Sequence, residues 1–156
     1  YTYNRVKMLT MDPRFYYYKN SMINRNLFDE NLVIDCEMNS GSSYEAMERY
    51  LEKNKKPPKA LFISSDATAA GILKSIHEHG FLVPGDCNIV TYNNTTFSES
   101  STPPLDSIEV YLKESAKEAT FALERFWNAE KLPRKIVIPC SLVIRGSIKK
   151  KENNDK

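Results

Sequence analysis

The chain alternates short apolar runs with longer segments that repeat apolar residues at helical spacing. Residues 32–38, LVIDCEM, carry apolar side chains at every second position, which is typical of a half-buried strand. Residues 60–64, ALFIS, are almost wholly apolar, as expected for a strand that is covered on both faces. Further strands are predicted at residues 5–10, 87–92, 135–138 and 141–145.

Helices are predicted between these strands. Asp12 before Pro13 is a typical helix start, because Asp can cap the first turn and Pro is tolerated at its first position. Ser42 and Glu45 have the spacing of a capping box at the start of a second helix. A third helix is predicted at residues 68–79 with Gly80 as its end, and a fourth at 112–128. The fourth carries an apolar stripe of Leu112, Ala116, Ala119, Leu123 and Phe126.

Alternation of strands and helices predicts an α/β fold, in which a parallel sheet is flanked by helices. Polar residues 93–104 are predicted to form a loop. A buried strand followed at once by Ser64, Ser65 and Asp66 then allows two interpretations. The hydroxyls and carboxylate can cap the next helix, or they can form part of a binding site where strands of a parallel sheet end.

Composition narrows the class of protein. The 156 residues suffice for one domain, and a net charge of +2 without a basic face gives no sign of a nucleic-acid or membrane surface. The three cysteines are too few and too scattered for a disulfide framework or a zinc site. Cys36 and Cys140 lie in apolar runs, so we expect buried, reduced thiols, which suit a cytoplasmic protein. No stretch is long and apolar enough to span a membrane, and no signal peptide is visible.

Signals for catalysis are weak. His77 and His79 are two residues apart on a predicted helix, so they point to different faces and do not form a chelating pair. The glycines of a nucleophile elbow are lacking around Ser64 and Ser65, and a chain with five glycines has no phosphate-binding loop. We therefore expect no enzymatic activity, no cofactor and no metal site.

Several motifs in fixed order resemble one family. The segments are SSDATAAGILKSIHEHGFLVPGDCNIVTYNN, then STPPLDSI, then IPCSLVIRGS, with SSYEAMERYLEKNKKPPKALF upstream of them. Together they resemble the effector-binding domain of LacI/GalR-type transcriptional regulators over residues 3–148.

The resemblance implies a class I periplasmic-binding-protein-like fold, in which two lobes close on a small effector, usually a sugar or a purine. Residues 1–107 and 139–148 correspond to the C-terminal lobe, and residues 108–138 to a segment that returns to the N-terminal lobe. Residues 149–156 form a charged tail. Most of the first lobe and the family's helix-turn-helix DNA-binding domain are absent from this chain. The resemblance also implies a homodimer that binds operator DNA.

Five residues match positions of the family's effector site. Arg14 corresponds to an arginine that holds effector hydroxyls, although it also fits an ordinary first-turn surface residue. Ser65 stands where relatives often carry Asn, and Asn93 stands where sugar-binding relatives have Asp or, equally, a tight turn. Met38 lies near a position for an aromatic ring, with core packing as the alternative. Asp66 resembles the residue that caps the helix beside the site, which leaves Ser65 to face the cleft.

Two departures from the family pattern affect the predicted site. Only three residues separate the strand at 5–10 from Arg14, where relatives have a longer loop rich in Gly and Ser. Asn93 lacks the charge that strengthens the hydrogen bonds of the usual Asp. The sequence therefore predicts the sensing part of a LacI-type repressor, and a transporter's solute-binding protein is the alternative. We expect Arg14, Ser65 and Asn93 to converge on one face at the edge of the sheet.

Overall fold

A computed structural model describes residues 2–3, 12–131, 133 and 135–149. Five α-helices and six strands are present in this part of the chain. The helices are α1 (Pro13–Ile23), α2 (Ser40–Asn54), α3 (Asp66–Glu78), α4 (Thr96–Ser100) and α5 (Leu112–Trp127). The strands are β1 (Thr2–Tyr3), β2 (Ile34–Asp35), β3 (Ala60–Phe62), β4 (Asn88–Tyr92), β5 (Asp106–Glu109) and β6 (Ser141–Val143).

The strands are mainly parallel. β1 pairs with β2 in parallel, and a second sheet has the order β3-β4-β5-β6. β3, β4 and β5 run in the same direction, whereas β6 is antiparallel to β5. The predicted α/β fold with a sheet flanked by helices is therefore confirmed. The parallel strands bring the exits of β3, β4 and β5 to one edge of the sheet.

The core lies between the sheet and the helix pair α2 and α3. Its largest fully buried apolar side chains are Met47, Ile63, Ile72, Ile76, Ile89 and Leu105. α2 and α3 approach closely at Gly71, because a Cβ there would collide with the carbonyl oxygen of Ser40 and lie 2.7 Å from the backbone nitrogen of Tyr44. Only a residue without a side chain allows this separation of the two helices.

Helix ends follow the sequence signals in two of three cases. Asp12 caps α1 by accepting a hydrogen bond from the backbone N–H of Arg14 at 2.9 Å, with Pro13 in the first turn. α3 ends at Glu78 and is followed by Gly80, whose φ of 78° suits glycine. The predicted capping box at Ser42 and Glu45 is wrong. The cap lies three residues earlier, at Asn39, whose side chain accepts from the backbone N–H of Ser42 at 2.8 Å.

The strand predictions were less accurate than those for helices. The predicted strand at 5–10 lies outside the described residues. The predicted strand at 32–38 shrinks to β2 after a 3-10 turn at Glu30–Leu32, and residues 135–138 are not a strand. β5 was missed altogether, and the predicted loop at 93–104 contains α4.

The cysteines divide into two groups. Cys36 and Cys87 are buried, and desolvation by this burial raises the pKa of the Cys36 thiol to about 11 and that of Cys87 to about 12. Both thiols are therefore protonated at neutral pH. Cys140 is exposed, so the prediction that it is buried is wrong. Its neighbours in the segment before β6 form no strand, and no sheet covers them.

α5 differs from the other long helices because none of its residues is buried. Trp127 is 88% exposed and Phe126 is 70% exposed. The other large apolar side chains that α5 exposes are Leu112, Phe121 and Leu123. No helix within the described residues is both long enough and apolar enough to cross a membrane.

Candidate functional site

Arg14 occupies the edge of the sheet where β3 and β4 end. Its Nη1 donates a hydrogen bond of 2.6 Å to the carbonyl oxygen of Ser64, two residues beyond the end of β3. Its guanidinium carbon lies 5.3 Å from the centre of the Tyr92 ring, at the end of β4. Ser64 and Tyr92 are the sequence neighbours of Ser65 and Asn93. The first turn of α1 thus carries a half-buried guanidinium to the exits of two strands.

Asp12 fixes the orientation of this guanidinium. Its carboxylate accepts from Nε of Arg14 at 3.1 and 3.2 Å and from Nη2 at 2.9 Å. Together with the bond to Ser64 and the face of the Tyr92 ring, these contacts hold the arginine on three sides. A side chain with many rotamers is therefore preorganised before any ligand arrives, which lowers the entropy cost of binding.

Ser65 takes the helix-capping role that was predicted for Asp66. Ser65 is the residue that caps α3, because its hydroxyl accepts from the backbone N–H of Thr68 at 3.3 Å and pairs with the Thr68 hydroxyl at 2.9 Å. Ser65 is only 3% exposed, so little of it is presented to a ligand. The prediction that Asp66 caps this helix is wrong.

Asp66 instead holds the segment that follows β4. Its carboxylate accepts from the backbone N–H and the hydroxyl of Thr95 and from the hydroxyl of Ser98, each at 2.6 Å. Thr95 and Ser98 lie at the start of α4, and Asn93 is two residues before Thr95. Asp66 is 2% exposed, so it holds the segment after β4 from the protein interior and has almost no contact with solvent.

Asn93 and Asn94 turn the chain at the exit of β4. Both have positive φ, 106° and 50°, which Asn tolerates better than most residues. The backbone N–H of Asn93 donates to the carbonyl of Ile108 at 3.0 Å. Its half-buried side-chain amide has no hydrogen-bond partner among the described residues and is available to a ligand.

Asn94 anchors the turn to the end of β5. Its Nδ2 donates to Glu109 at 2.6 Å, and the backbone N–H of Tyr111 donates to the other carboxylate oxygen at 2.8 Å. The Asn94 bond and then that of Tyr111 hold the pKa of Glu109 below its usual value. Since the folded-state pKa is the lower one, this contribution to stability is present above the unfolded pKa. It is lost as the pH falls through the folded pKa.

Met38 does not pack in the core. It is 40% exposed on the turn between β2 and α2, so the core-packing alternative is wrong. Its contact with an effector stays a prediction.

Two cavities adjoin these residues. The smaller, of about 310 Å³, is lined by Asn93, Asn94, Thr95, Glu109, Tyr111 and the first turn of α5. The larger, of about 510 Å³, lies under α5 and is lined by Tyr92, Val110, Ser115, Glu118, Ala119, Ala122, Ile136, Ile138 and Cys140. Tyr92 and Asn93 therefore connect the guanidinium of Arg14 with both spaces. Within the described residues, no group of His, Cys, Asp and Glu side chains could hold a metal ion.

Sequence reasoning missed two residues of this site. Tyr92 was read only as the end of a strand, and Asp12 only as a helix cap. The spacing of Asp12 and Arg14 across the first turn was a usable signal for an ion pair. No local signal indicated that Tyr92 would lie under the guanidinium, because that contact joins residues far apart in the chain.

Comparison with known proteins identifies the family. The profile described as periplasmic binding protein-like domain matches residues 3–148. The chain belongs to this family. The resemblance to LacI/GalR-type effector domains is thereby confirmed, since the relatives of this periplasmic-binding-protein-like domain are regulators of that type.

Two curated relatives and one solved structure illustrate the similarity. The HTH-type transcriptional regulator GalR of Streptococcus thermophilus is 30% identical over 139 residues, which are 88% of this chain and 42% of GalR. The HTH-type transcriptional repressor MelR of Bacillus subtilis is 32% identical over 115 residues, which are 74% of this chain and 33% of MelR. The structure of a transcriptional regulator CelR–cellobiose complex superposes with a TM-score of 0.76 at 25% identity, covering 86% of this chain and 41% of CelR.

The periplasmic-binding-protein-like domain described here thus spans less than half the length of the curated relatives it matches.

Proposed function

We propose that this chain is the effector-sensing part of a LacI/GalR-type transcriptional repressor, and that its effector is a small sugar bound between two lobes. The names of GalR and MelR as transcriptional regulators support the regulatory role, and the cellobiose complex of CelR supports a sugar effector. In this proposal the whole protein is a cytoplasmic homodimer that binds operator DNA through a helix-turn-helix domain, and it has no enzymatic activity. None of these relatives supports the alternative of a transporter's solute-binding protein.

The observation that carries the proposal is the guanidinium of Arg14, which lies over the ring of Tyr92, the residue that precedes Asn93. Arg14 is held against Tyr92 and the Ser64 carbonyl, and Asn93 has an amide without a partner among the described residues. A guanidinium donates hydrogen bonds in a planar fork, and an amide both donates and accepts. The pair is suited to neighbouring hydroxyl groups of a sugar ring, and the Tyr92 ring adds an apolar surface on which a sugar face can stack.

Replacing Arg14 by Gln tests the site. We expect the affinity for the effector sugar to fall about 10- to 100-fold, because the substitution removes charge-assisted hydrogen bonds. The measurement is calorimetric or NMR titration of the chain, and of the longer natural protein where the chain is part of one. Cellobiose and a panel of neutral mono- and disaccharides are the ligands.

Arg25→Gln is the matched control for this substitution. Arg25 lies just beyond the same helix and is exposed, and its side chain bonds only to Ser21 among the described residues. Arg25→Gln should leave the affinity for the effector sugar unchanged. Equal binding by the Arg14→Gln protein and its parent would contradict the proposed site.

We also propose that residues 108–138 pack on an N-terminal lobe in a longer protein. α5 supports this, because five large apolar side chains on it are exposed and none of its residues is buried. Each large apolar side chain left in water forgoes roughly 1.5–3 kcal/mol of burial free energy. A surface of this kind is typical of one that is covered by another body.

Replacing Leu123 and Phe126 together by Ser tests this lobe assignment. We expect the chain alone to self-associate at micromolar concentration through α5, and the double substitution to reduce that association, as measured by sedimentation velocity. In the longer protein the same change should lower the free energy of unfolding, because the side chains are buried there. Replacing Lys117 and Glu124 by Ser is the control, since both are exposed polar residues of the same helix. A parent chain that sediments as a monomer would contradict the assignment.

A further inference from the structure

The proposed effector site contains an arginine whose charge is already neutralised. The Asp12 carboxylate makes three contacts with the Arg14 guanidinium, at 2.9, 3.1 and 3.2 Å. The side chain of Arg14 is 26% exposed and that of Asp12 is 12% exposed, so water screens the pair only partly. A ligand that approaches Arg14 therefore experiences the electric field of both side chains. In that field the negative charge of Asp12 offsets the positive charge of Arg14.

The donors that remain on Arg14 suit neutral hydroxyls. A guanidinium has five N–H groups. Asp12 takes the one on Nε and one on Nη2, and the Ser64 carbonyl takes one on Nη1. Counting only partners among the described residues, one N–H remains on each terminal nitrogen. Two neighbouring donors match two neighbouring hydroxyl oxygens, and they bring no net charge to the site.

Within the described residues, the linings of the two adjoining cavities supply no excess of positive charge. Asn93 is neutral, and the 310 Å³ cavity that it lines also contains Glu109, Glu114 and, among its described lining residues, a single cation, Lys113. The described residues that line the larger cavity include one carboxylate, Glu118, and no cation. A phosphate or carboxylate in this region would lose its hydration and meet carboxylates as well as donors, which disfavours binding.

We propose that Asp12 is a specificity-determining residue that restricts the effector to uncharged polyhydroxylated ligands and rejects phosphorylated or carboxylated ones. This inference rests on the proposed function, in which the effector binds at Arg14. Asp12 acts through Arg14: it compensates the charge and aims the two free donors. Without the carboxylate, the same arginine would present an uncompensated cation, which is typical of an anion site.

The capping role of Asp12 can be separated from its charge. Its Oδ1 caps α1 through the backbone N–H of Arg14. Asn and Ser cap helices about as well as Asp, so Asp12→Asn and Asp12→Ser retain the cap while removing the charge. The bond of Arg14 to the Ser64 carbonyl and its contact with the Tyr92 ring do not involve Asp12, and they keep the guanidinium in place.

The test is titration with inorganic phosphate at low ionic strength, followed by the NMR signal of the Arg14 Nε–H. In the parent we expect no saturable shift. In Asp12→Asn and Asp12→Ser we expect saturable binding at least about tenfold tighter than in the parent, since a charge repelling the anion a few ångströms away is removed. Asp29→Asn is the matched control, because Asp29 also caps a short helix through its Oδ1 and should gain no phosphate binding. Asp12→Asn combined with Arg14→Gln should lose the gain.

The outcomes distinguish this inference from the proposed function. Phosphate that binds the parent at Arg14 as tightly as the two variants, or no gain in either variant, would overturn the role of Asp12. A gain of phosphate binding in both variants supports that role even if no neutral sugar binds the parent, in which case the proposed sugar effector fails alone. A third outcome is that sugar binding depends on Arg14 while the parent and all variants bind phosphate equally. It would support the proposed site and refute the role of Asp12 in excluding anions.

Discussion

Asp66→Asn is expected to lower the free energy of unfolding by about 2–4 kcal/mol, although Asn differs from Asp by one polar group. The Asp66 carboxylate accepts three hydrogen bonds of 2.6 Å from Thr95 and Ser98 and is almost fully buried. An amide has one oxygen to accept with, and its NH2 group would point at donors. At least one buried donor is then left without a partner, and the remaining bonds lose their charge assistance.

Urea denaturation followed by circular dichroism measures this effect. Asp86→Asn is the control, because Asp86 is exposed and accepts one hydrogen bond, from the backbone N–H of Leu82 at 2.8 Å. It should cost less than about 1 kcal/mol. Since Asp66 holds the start of α4, we also expect the NMR signals of Asn93 and Asn94 to shift in Asp66→Asn alone. Equal stability of the two variants would refute the positioning role of Asp66.

Gly71→Ala is expected to destabilise the protein by about 3 kcal/mol or more, against the intrinsic preference of a helix for alanine. Helix propensity alone would favour Ala over Gly by about 1 kcal/mol. The new Cβ, however, would collide with the backbone carbonyl of Ser40 and lie 2.7 Å from the backbone nitrogen of Tyr44. Backbone atoms cannot rotate away as a side chain does, so α2 and α3 must separate. The loss of core packing therefore outweighs the gain in propensity.

Gly41→Ala provides the matched control for this second prediction. Gly41 also lies in a helix, α2, and a Cβ there would come no closer than 3.5 Å to a side-chain oxygen of Asn39, which is an ordinary contact. This substitution should be neutral or stabilise by up to about 1 kcal/mol. Thermal and urea unfolding of both variants measure the difference. The close helix contact would be refuted if Gly71→Ala were as stable as Gly41→Ala.

Helices were predicted better than strands because their signals are local. Asp12 and Pro13 start α1, and Gly80 ends α3, through contacts within a few residues of the chain. β5 was missed because DSIE has three polar residues in four and little of the apolar pattern of a strand. Its pairing with β4 and β6 makes it a strand, and those partners lie far away in sequence. The segment at 135–138 is apolar enough for a strand but has no described neighbour to pair with.

The candidate site shows the same division. Arg14 and Asn93 were indicated by motifs, and the structure places Arg14 at the residues that adjoin Ser65 and Asn93. The motif assigned the cap of α3 to Asp66, whereas Ser65 caps the helix and Asp66 binds the segment after β4. Either side chain can cap a helix, so spacing alone could not decide between them. The tertiary structure decides between them, because the start of α4 places the hydroxyls of Thr95 and Ser98 within hydrogen-bond distance of the Asp66 carboxylate.

The sequence by itself determined the α/β class, the family, the start of α1 and the end of α3, because periodicity, caps and ordered motifs are properties of neighbouring residues. Only the tertiary structure decided which donors meet which acceptors. It places the Tyr92 ring under Arg14, leaves Cys140 and α5 exposed, and brings α2 against Gly71. Each of these facts depends on contacts between segments distant in the chain. Such contacts follow from how the sheet and helices pack, and no local pattern records them.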